Sequence, residues 1–425
     1  MNVLLVNFTD AGGGAAIAAY RLARALNERG VKATLGVVEK QSAAPFVVEI
    51  PLLYGAQFKR YKKRAKELMR KFFEKYCPLA VRLFAFRTTN NILHSTNFTS
   101  LIDVNWINNF DCDVVNLHWI AGDMLSIKDI AKITKPIVWT MHDSWPCCGA
   151  EHYQNILEND TRWRDGYYSH NKPATTKGPD ICRKVWKQKK KYLIGKNIVF
   201  VAPSNWEHDV LKSSSLFHHC TCHVIPNVID HAVFFPCDKK LIRDLLEIPK
   251  GKRVLGFGAA ENLDDLRNRK GSYYLLDALQ KLHDAERYFL VVFGPASGTF
   301  TERIQLPYFA SGYVASPELL SLLYNACDVF ICPSLIENLP TTCLEAVCCG
   351  VPVVAFNVGG TADIIEHKKN GYLAEPYDTD DLANGIEYCI THKGALSKQC
   401  IEKAHRDFDT DSTVKKMIQV LYDAD

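Results

Sequence analysis

Short apolar runs rich in β-branched residues recur along the chain, and each is followed by a segment with helical spacing. In the first half, residues 3–8, 34–38, 114–118, 137–141 and 198–202 read as strands, and residues 15–29 as a helix closed by Gly30. A second series occupies residues 253–258, 289–293, 329–332 and 353–356. Strands alternating with helices argue a parallel sheet covered on both faces. Two such series predict an α/β chain of two Rossmann-like domains. Pro226, Asn227 and Pro236 mark the expected break. It separates a first domain, 1–226, from a second, 227–408. A closing helix, 409–425, can return to the first domain or stay with the second.

Composition narrows the partners. Lys and Arg number 51 against 47 Asp and Glu, a net of +4, too balanced to imply nucleic acid. No apolar run approaches the roughly 20 residues of a spanning helix. Met1-Asn2-Val3-Leu4-Leu5 reads as a first strand rather than a signal peptide, so a cytoplasmic location is expected. The 15 cysteines include no Cys-x-x-Cys pair. Cys147-Cys148 and Cys348-Cys349 sit in apolar or aromatic stretches, as reduced thiols used as small hydrophobes do. A metal set of Cys147, Cys148, His152 and Cys182 is the weaker alternative, and no metal is expected.

One stretch breaks the rhythm. Residues 57–87 hold eleven Lys or Arg opposed only by Glu67 and Glu74, a local net of +9. Phe58, Tyr61, Ala65, Leu68, Phe72 and Tyr76 recur every three or four residues, which is one face of a helix. Such a helix can lie on an anionic membrane surface through Lys59, Lys62, Lys63, Lys66, Phe72 and Phe73. The alternative is that the stripe packs on the first domain and its lysines are solvated.

The first strand runs into Asp10-Ala11-Gly12-Gly13-Gly14 and then a helix, an arrangement that can cradle phosphates. It lacks the G-x-G-x-x-G spacing of a dinucleotide site. Late in the chain, Ser334-Leu335-Ile336-Glu337-Asn338-Leu339-Pro340-Thr341 follows a strand and opens a helix, with Pro340 expected as its first residue. Glu337 lies at the carboxyl edge of the sheet, where open α/β sheets bind ligands. Glu345, just over one turn into the helix, can face the same crevice. Two acids flanking backbone amides suit a sugar nucleotide.

Glu337 and Glu345 resemble the E-x7-E motif of retaining glycosyltransferases of family four, which have the GT-B fold. Cys348-Cys349-Gly350-Val351-Pro352, Gly359-Gly360, Asn370-Gly371 and Arg269-Lys270-Gly271 match too. The likeness also reaches Gly12 to Gly14, Ser204 and Pro226-Asn227 with Asp230. His142-Asp143-Ser144-Trp145-Pro146 is similar to the branch that builds surface polysaccharides such as colanic acid or capsule. The resemblance implies that Glu345 binds the nucleotide ribose and Glu337 the donor sugar. Asn338, Leu339, Pro340 and Thr341 would meet sugar hydroxyls and diphosphate through their amides. Lys270 would neutralise the departing diphosphate, His142 would sit against the transferred sugar, and Gly13 and Gly14 would face the diphosphate or acceptor. The arginine usual before the lysine is displaced by a longer loop. Arg267 is preferred over Arg269 for that role. His118, Trp145 and Tyr153 are placed on the acceptor side, with a core role equally open to His118. The usual E-G-F-G is Glu337-Asn338-Leu339-Pro340 here, without glycines.

The activity so implied moves a sugar from a UDP- or GDP-linked donor to a saccharide acceptor, lipid-linked in this reading, with retention and without cofactor or metal. Asp264-Asp265 is adjacent, not the spaced D-x-D of a metal–diphosphate site. A sugar-nucleotide epimerase or hydrolase of the same fold, and a silent sugar-nucleotide-binding subunit, are the rivals. Charge reversal at Lys62, Lys63 and Lys66 is expected to weaken sedimentation with anionic liposomes; unchanged co-sedimentation would remove the membrane reading.

Overall fold

The structure, a computed structural model, describes residues 1–53, 92–155, 159–260, 262–266, 268–296 and 298–425. The basic stripe with Lys59, Lys62, Lys63, Lys66, Phe72 and Phe73 lies outside the described residues, as does Arg267.

The first sheet has seven strands: β1 (Asn2–Thr9), β2 (Lys32–Glu39), β3 (Val47–Glu49), β4 (Val114–Leu117), β5 (Ile137–Thr140), β6 (Ile198–Ala202) and β7 (Cys222–Val224). Their order is β3-β2-β1-β4-β5-β6-β7, and every pairing is parallel. Leu4 pairs with Thr34 on one side and Val115 on the other, which puts β1 at the centre. Successive side chains of a strand point to opposite faces. Val3 and Leu5 accordingly join one apolar cluster, and Leu4 and Val6 the other.

The second sheet has six strands: β8 (Arg253–Gly258), β9 (Tyr288–Phe293), β10 (Tyr308–Ala310), β11 (Val329–Cys332), β12 (Val353–Phe356) and β13 (Gly371–Ala374). Their order is β10-β9-β8-β11-β12-β13, again wholly parallel. The alternation recurs: Phe289, Val291 and Phe293 enter one core, Tyr288, Leu290 and Val292 the other. These two parallel Rossmann-like halves are the α/β GT-B arrangement.

The long helix Thr379–Asp407 covers the second sheet, and after Phe408 the chain crosses back. The last helix, Thr410–Ala424, buries Val414, Met417, Val420 and Leu421 in the same cluster as Val3, Leu5, Val138 and Val201. The closing helix therefore packs on the first sheet. Among the described residues, no helix is long and apolar enough to cross a membrane. Leu421 is fully buried, so Leu421→Ala should cost about 2–5 kcal/mol in chemical denaturation. Tyr422→Ala, at an exposed neighbour, should stay within about 0.5 kcal/mol.

Candidate functional site

A cleft of about 820 Å³ opens between the halves. Its walls are the loops that leave strand carboxyl ends: Gly12–Gly14 after β1, Trp119 after β4, His142 after β5, Ala259 after β8, Gly294 after β9 and Leu335–Thr342 after β11. This is where parallel sheets present ligand-binding loops.

Two helices begin at the cleft. On the first wall, Gly12 at φ +85° turns the chain, and the helix Gly14–Glu28 starts behind an extended Gly13 with no side-chain cap. On the second, the helix Thr341–Cys348 starts behind Pro340, also with no side-chain cap. Pro340 is thus the residue before the first helical turn, not its first member, because its ψ of 111° is extended. The first amides of a helix carry partial positive charge and need acceptors. The two ends are close enough that a Cβ on Gly14 would stand 3.9 Å from Thr341 Oγ1.

Cations line the same space. Gly271 adopts φ +77°, and a Cβ there would lie 1.9 Å from the Pro333 carbonyl oxygen. Only glycine lets the loop after β8 press against the loop after β11. That contact brings Lys270 Nζ to 2.6 Å from Glu337 Oε1, with Arg269 at 3.1 Å from the same oxygen. Glu337 is 5% exposed. Burial pushes its carboxyl up, but Arg269 and Lys270 outweigh that and hold it at about 2. Arg269 also donates to the Ile336 carbonyl and stacks 5.1 Å over the Tyr153 ring. Arg269 therefore places a guanidinium on Glu337; Arg267, the arginine preferred from the sequence, lies outside the described residues. Tyr153 lines the cleft, and burial raises its phenol.

The backbone of Glu337 and Asn338 is gripped from behind. A Cβ on Gly359 or Gly360 would come within 1.8 Å of the Glu337 or Asn338 carbonyl oxygen. The Asn338 side chain spans the two halves: it donates to the Met141 carbonyl at 2.9 Å and accepts from Ser204 Oγ at 2.8 Å. Leu339 belongs to the second-half core while still lining the cleft. Glu345 is 2% exposed. Arg21 of the first helix reaches its Oε1 at 2.7 Å, and the Tyr324 hydroxyl donates to its Oε2 at 3.0 Å.

On the first-half wall, His142 lines the cleft and its Nε2 lies 2.7 Å from His118 Nδ1. Burial lowers His142 to about 4, partly opposed by Asp143. Asp143, also on the wall, accepts from His152 Nδ1 at 2.6 Å, Trp119 Nε1 at 2.9 Å and the Trp145 amide at 3.0 Å. Burial raises its carboxyl, but His152 and these donors leave it below the usual range.

Two candidates for the acceptor side do not reach the cleft. His118 is 3% exposed and lies under His142. Trp145 is buried, its indole donating to the Ser95 carbonyl and its ring covered by Lys189. The four-residue metal set is not assembled either, because the His152 ring nitrogens face Asp143 and Ser95. Cys182 instead meets His94 and Glu151, with ligand atoms within 4.8 Å of one another. There Arg162 and the Tyr167 hydroxyl already donate to the two Glu151 oxygens, which makes a buried ion-pair knot.

Arg21, Tyr324 and Asp143 are absent from the sequence-derived site. A signal existed for Arg21: with Gly14, Ala18 and Ala25 it shares one face of a helix whose other buried members are apolar.

Comparison with known proteins bears on this geometry. The description "Glycosyltransferase Family 4" matches residues 12–233, and "Glycosyl transferases group 1" matches residues 246–407. TuaC of Bacillus subtilis, named for teichuronic acid biosynthesis, is 28% identical over 182 residues, 42% of this chain and 44% of its own length. A D-inositol 3-phosphate glycosyltransferase of Corynebacterium jeikeium is 31% identical over 216 residues, 44% of this chain and 50% of its own. The chain thus spans half or less of these curated relatives. The crystal structure of Anabaena HepE in complex with UDP and glucose superposes with a TM-score of 0.64 at 17% identity, covering 100% of both chains. At that identity the likeness is one of fold.

Glu337 has a folded-state pKa below its unfolded value. Its stabilising contribution is present above the ordinary glutamate range and is lost as pH falls from about 4.5 towards 2. Over that window, denaturant unfolding of Glu337→Gln should show a shallower loss of stability than the parent chain; parallel curves would contradict the ion pairing.

Proposed function

The chain belongs to the family 4, group 1 glycosyltransferases, and on that premise we propose that it transfers a sugar, with retention, from a nucleotide diphosphate donor to a saccharide hydroxyl. The observation that carries the reading is the convergence of two uncapped helix N-termini with Arg269 and Lys270 on one cleft. Such a place favours a doubly charged, extended anion, which is what a diphosphate is.

Breaking the glycosidic C–O bond leaves negative charge on the diphosphate and a cation-like sugar. In this reading Lys270, Arg269 and the amides at Thr341 and Thr342 stabilise the leaving group, preorganised before the reaction begins. That countercharge comes from the chain itself, so the reading requires no metal. Glu345 accepts the ribose hydroxyls, sharing its oxygens with Arg21 and Tyr324. Glu337 orients Lys270 and meets the donor sugar, with His142 on the opposite wall. Closure of the two halves keeps water from the cation. Retention follows the E-x7-E resemblance.

For the donor, UDP or GDP is proposed, supported by the fold neighbour crystallised with UDP and glucose. For the acceptor, a lipid-linked saccharide in surface-polysaccharide assembly is proposed, supported by the name TuaC carries and by the basic stripe at residues 57–87. The protein would then work on the inner membrane face as a peripheral enzyme. The epimerase and hydrolase alternative is separated by incubating the donor alone, and the silent-subunit alternative by calorimetry that finds donor binding without transfer.

Lys270→Ala and Glu345→Ala should each lower turnover of the preferred nucleotide sugar by about a hundredfold or more, measured by nucleotide release with acceptor present. Near-normal rates in both would break the assignment.

A further inference from the structure

We propose that Asn116 and His118 are positioning residues that fix the tautomer of His142, so that its ring offers the cleft a lone pair and not an N–H. Asn116 is fully buried on β4. Its Nδ2 lies 3.1 Å from the Val138 carbonyl oxygen and 3.0 Å from Thr140 Oγ1. A carbonyl oxygen can only accept, so the amide nitrogen is fixed on that side and Oδ1 on the other. Oδ1 lies 2.8 Å from His118 Nε2. An amide oxygen also only accepts, so His118 Nε2 carries the hydrogen.

The next link follows from charge. Burial, and then the neighbouring His142, hold His118 well below the usual histidine range, so it is neutral. A neutral imidazole has one N–H, and that of His118 is spent on Asn116. Its Nδ1 is therefore an acceptor, and at 2.7 Å it takes the N–H of His142 Nε2. The two rings are nearly coplanar, at an interplanar angle of 21° with centroids 5.0 Å apart, the edge-to-edge placement that an in-plane N–H···N bond needs. His142 is neutral as well, so its Nδ1 holds no proton. Among the described residues, that nitrogen has no hydrogen-bond partner and is not one of the buried unsatisfied atoms. The ring lines the cleft, and Nδ1 is the edge left for a ligand.

The nearby charges do not disturb the relay. Asp143 is taken by His152, Trp119 and the Trp145 amide, and Lys270 and Arg269 face Glu337 across the cleft. For the reaction, and here the inference rests on the functional reading above, a lone pair at His142 accepts a hydrogen bond from a hydroxyl of the transferred sugar. It does not donate a proton to the departing phosphate.

The test reads the tautomer directly. Protein labelled with 15N-histidine is examined at neutral pH by long-range 1H–15N correlation, with the His142 signals identified by their loss in His142→Asn. The expected spectrum shows an unprotonated Nδ1 and a protonated Nε2; the reverse in the unaltered chain overturns the proposal, whatever the variants do. In His118→Phe, which removes the acceptor, the two His142 nitrogens should move towards averaged values. In His118→Gln, which keeps an acceptor and a donor, the original pattern should hold. An unshifted His142 in His118→Phe overturns the relay. With nucleotide sugar and acceptor, His118→Phe should lose about tenfold in kcat with little change in KM, as loss of one hydrogen bond allows, and His118→Gln should recover most of it. Equal losses in both would reduce His118 to a structural residue and sink its positioning role. The expected tautomer in a chain that transfers no sugar supports the relay and counts against the functional reading alone.

Discussion

A carboxylate as buried as Glu337 stays ionised only if cations meet it, and here two cations meet one oxygen. Neither would be in place without a backbone that lets the loops after β8 and β11 touch at Gly271 and Pro333. The benefit runs both ways. Glu337 keeps two positive groups side by side in a cleft that would otherwise drive them apart. Removing one member strands a charge in a poorly hydrated place, which costs more than the pair contributes. The Glu337 loop is in turn braced by Gly359, Gly360 and the Asn338 tie to Met141 and Ser204. The chemistry of the cleft therefore depends on contacts between elements distant in sequence.

The central strands were legible and the edges were not. Residues 3–6, 198–202 and 329–332 are continuous apolar runs because sheet and helices enclose them on both faces. The four unforeseen strands, β3, β7, β10 and β13, are the four sheet edges. They are three or four residues long and only partly buried. An edge strand with one neighbour needs no apolar run, so hydrophobic pattern is silent about it. The same logic separates the site residues. Glu337, Glu345 and Lys270 stand in a compact motif, whereas Arg21 reaches Glu345 across 324 positions of sequence. That Arg269 meets Glu337 depends on how the loops after β8 and β11 fold together, which residue types alone do not determine.

The cysteines illustrate a reading by chemistry. Among the described residues all 14 are unpaired, and 11 of them are buried. Burial pushes up thiols such as Cys147, Cys148 and Cys348, which leaves them protonated and weakly nucleophilic. They serve as small apolar side chains, and the Cys348-Cys349 pair, at the C-terminal end of the helix that carries Glu345, fills the second-half core.

The return of the last helix to the first sheet means that the chain passes between the halves twice. The two passages are fastened side by side: Thr410 Oγ1 donates to the Ile229 carbonyl at 2.6 Å, and the His231 ring meets the Phe408 carbonyl at 3.0 Å. A single tether would leave the halves free to swivel and slide. Two tethers bound to each other act as a door hinge with two pins, allowing swing about one axis while resisting shear. The alignment of the opposing loops across the cleft is thereby secured by the course of the chain as well as by side-chain contacts.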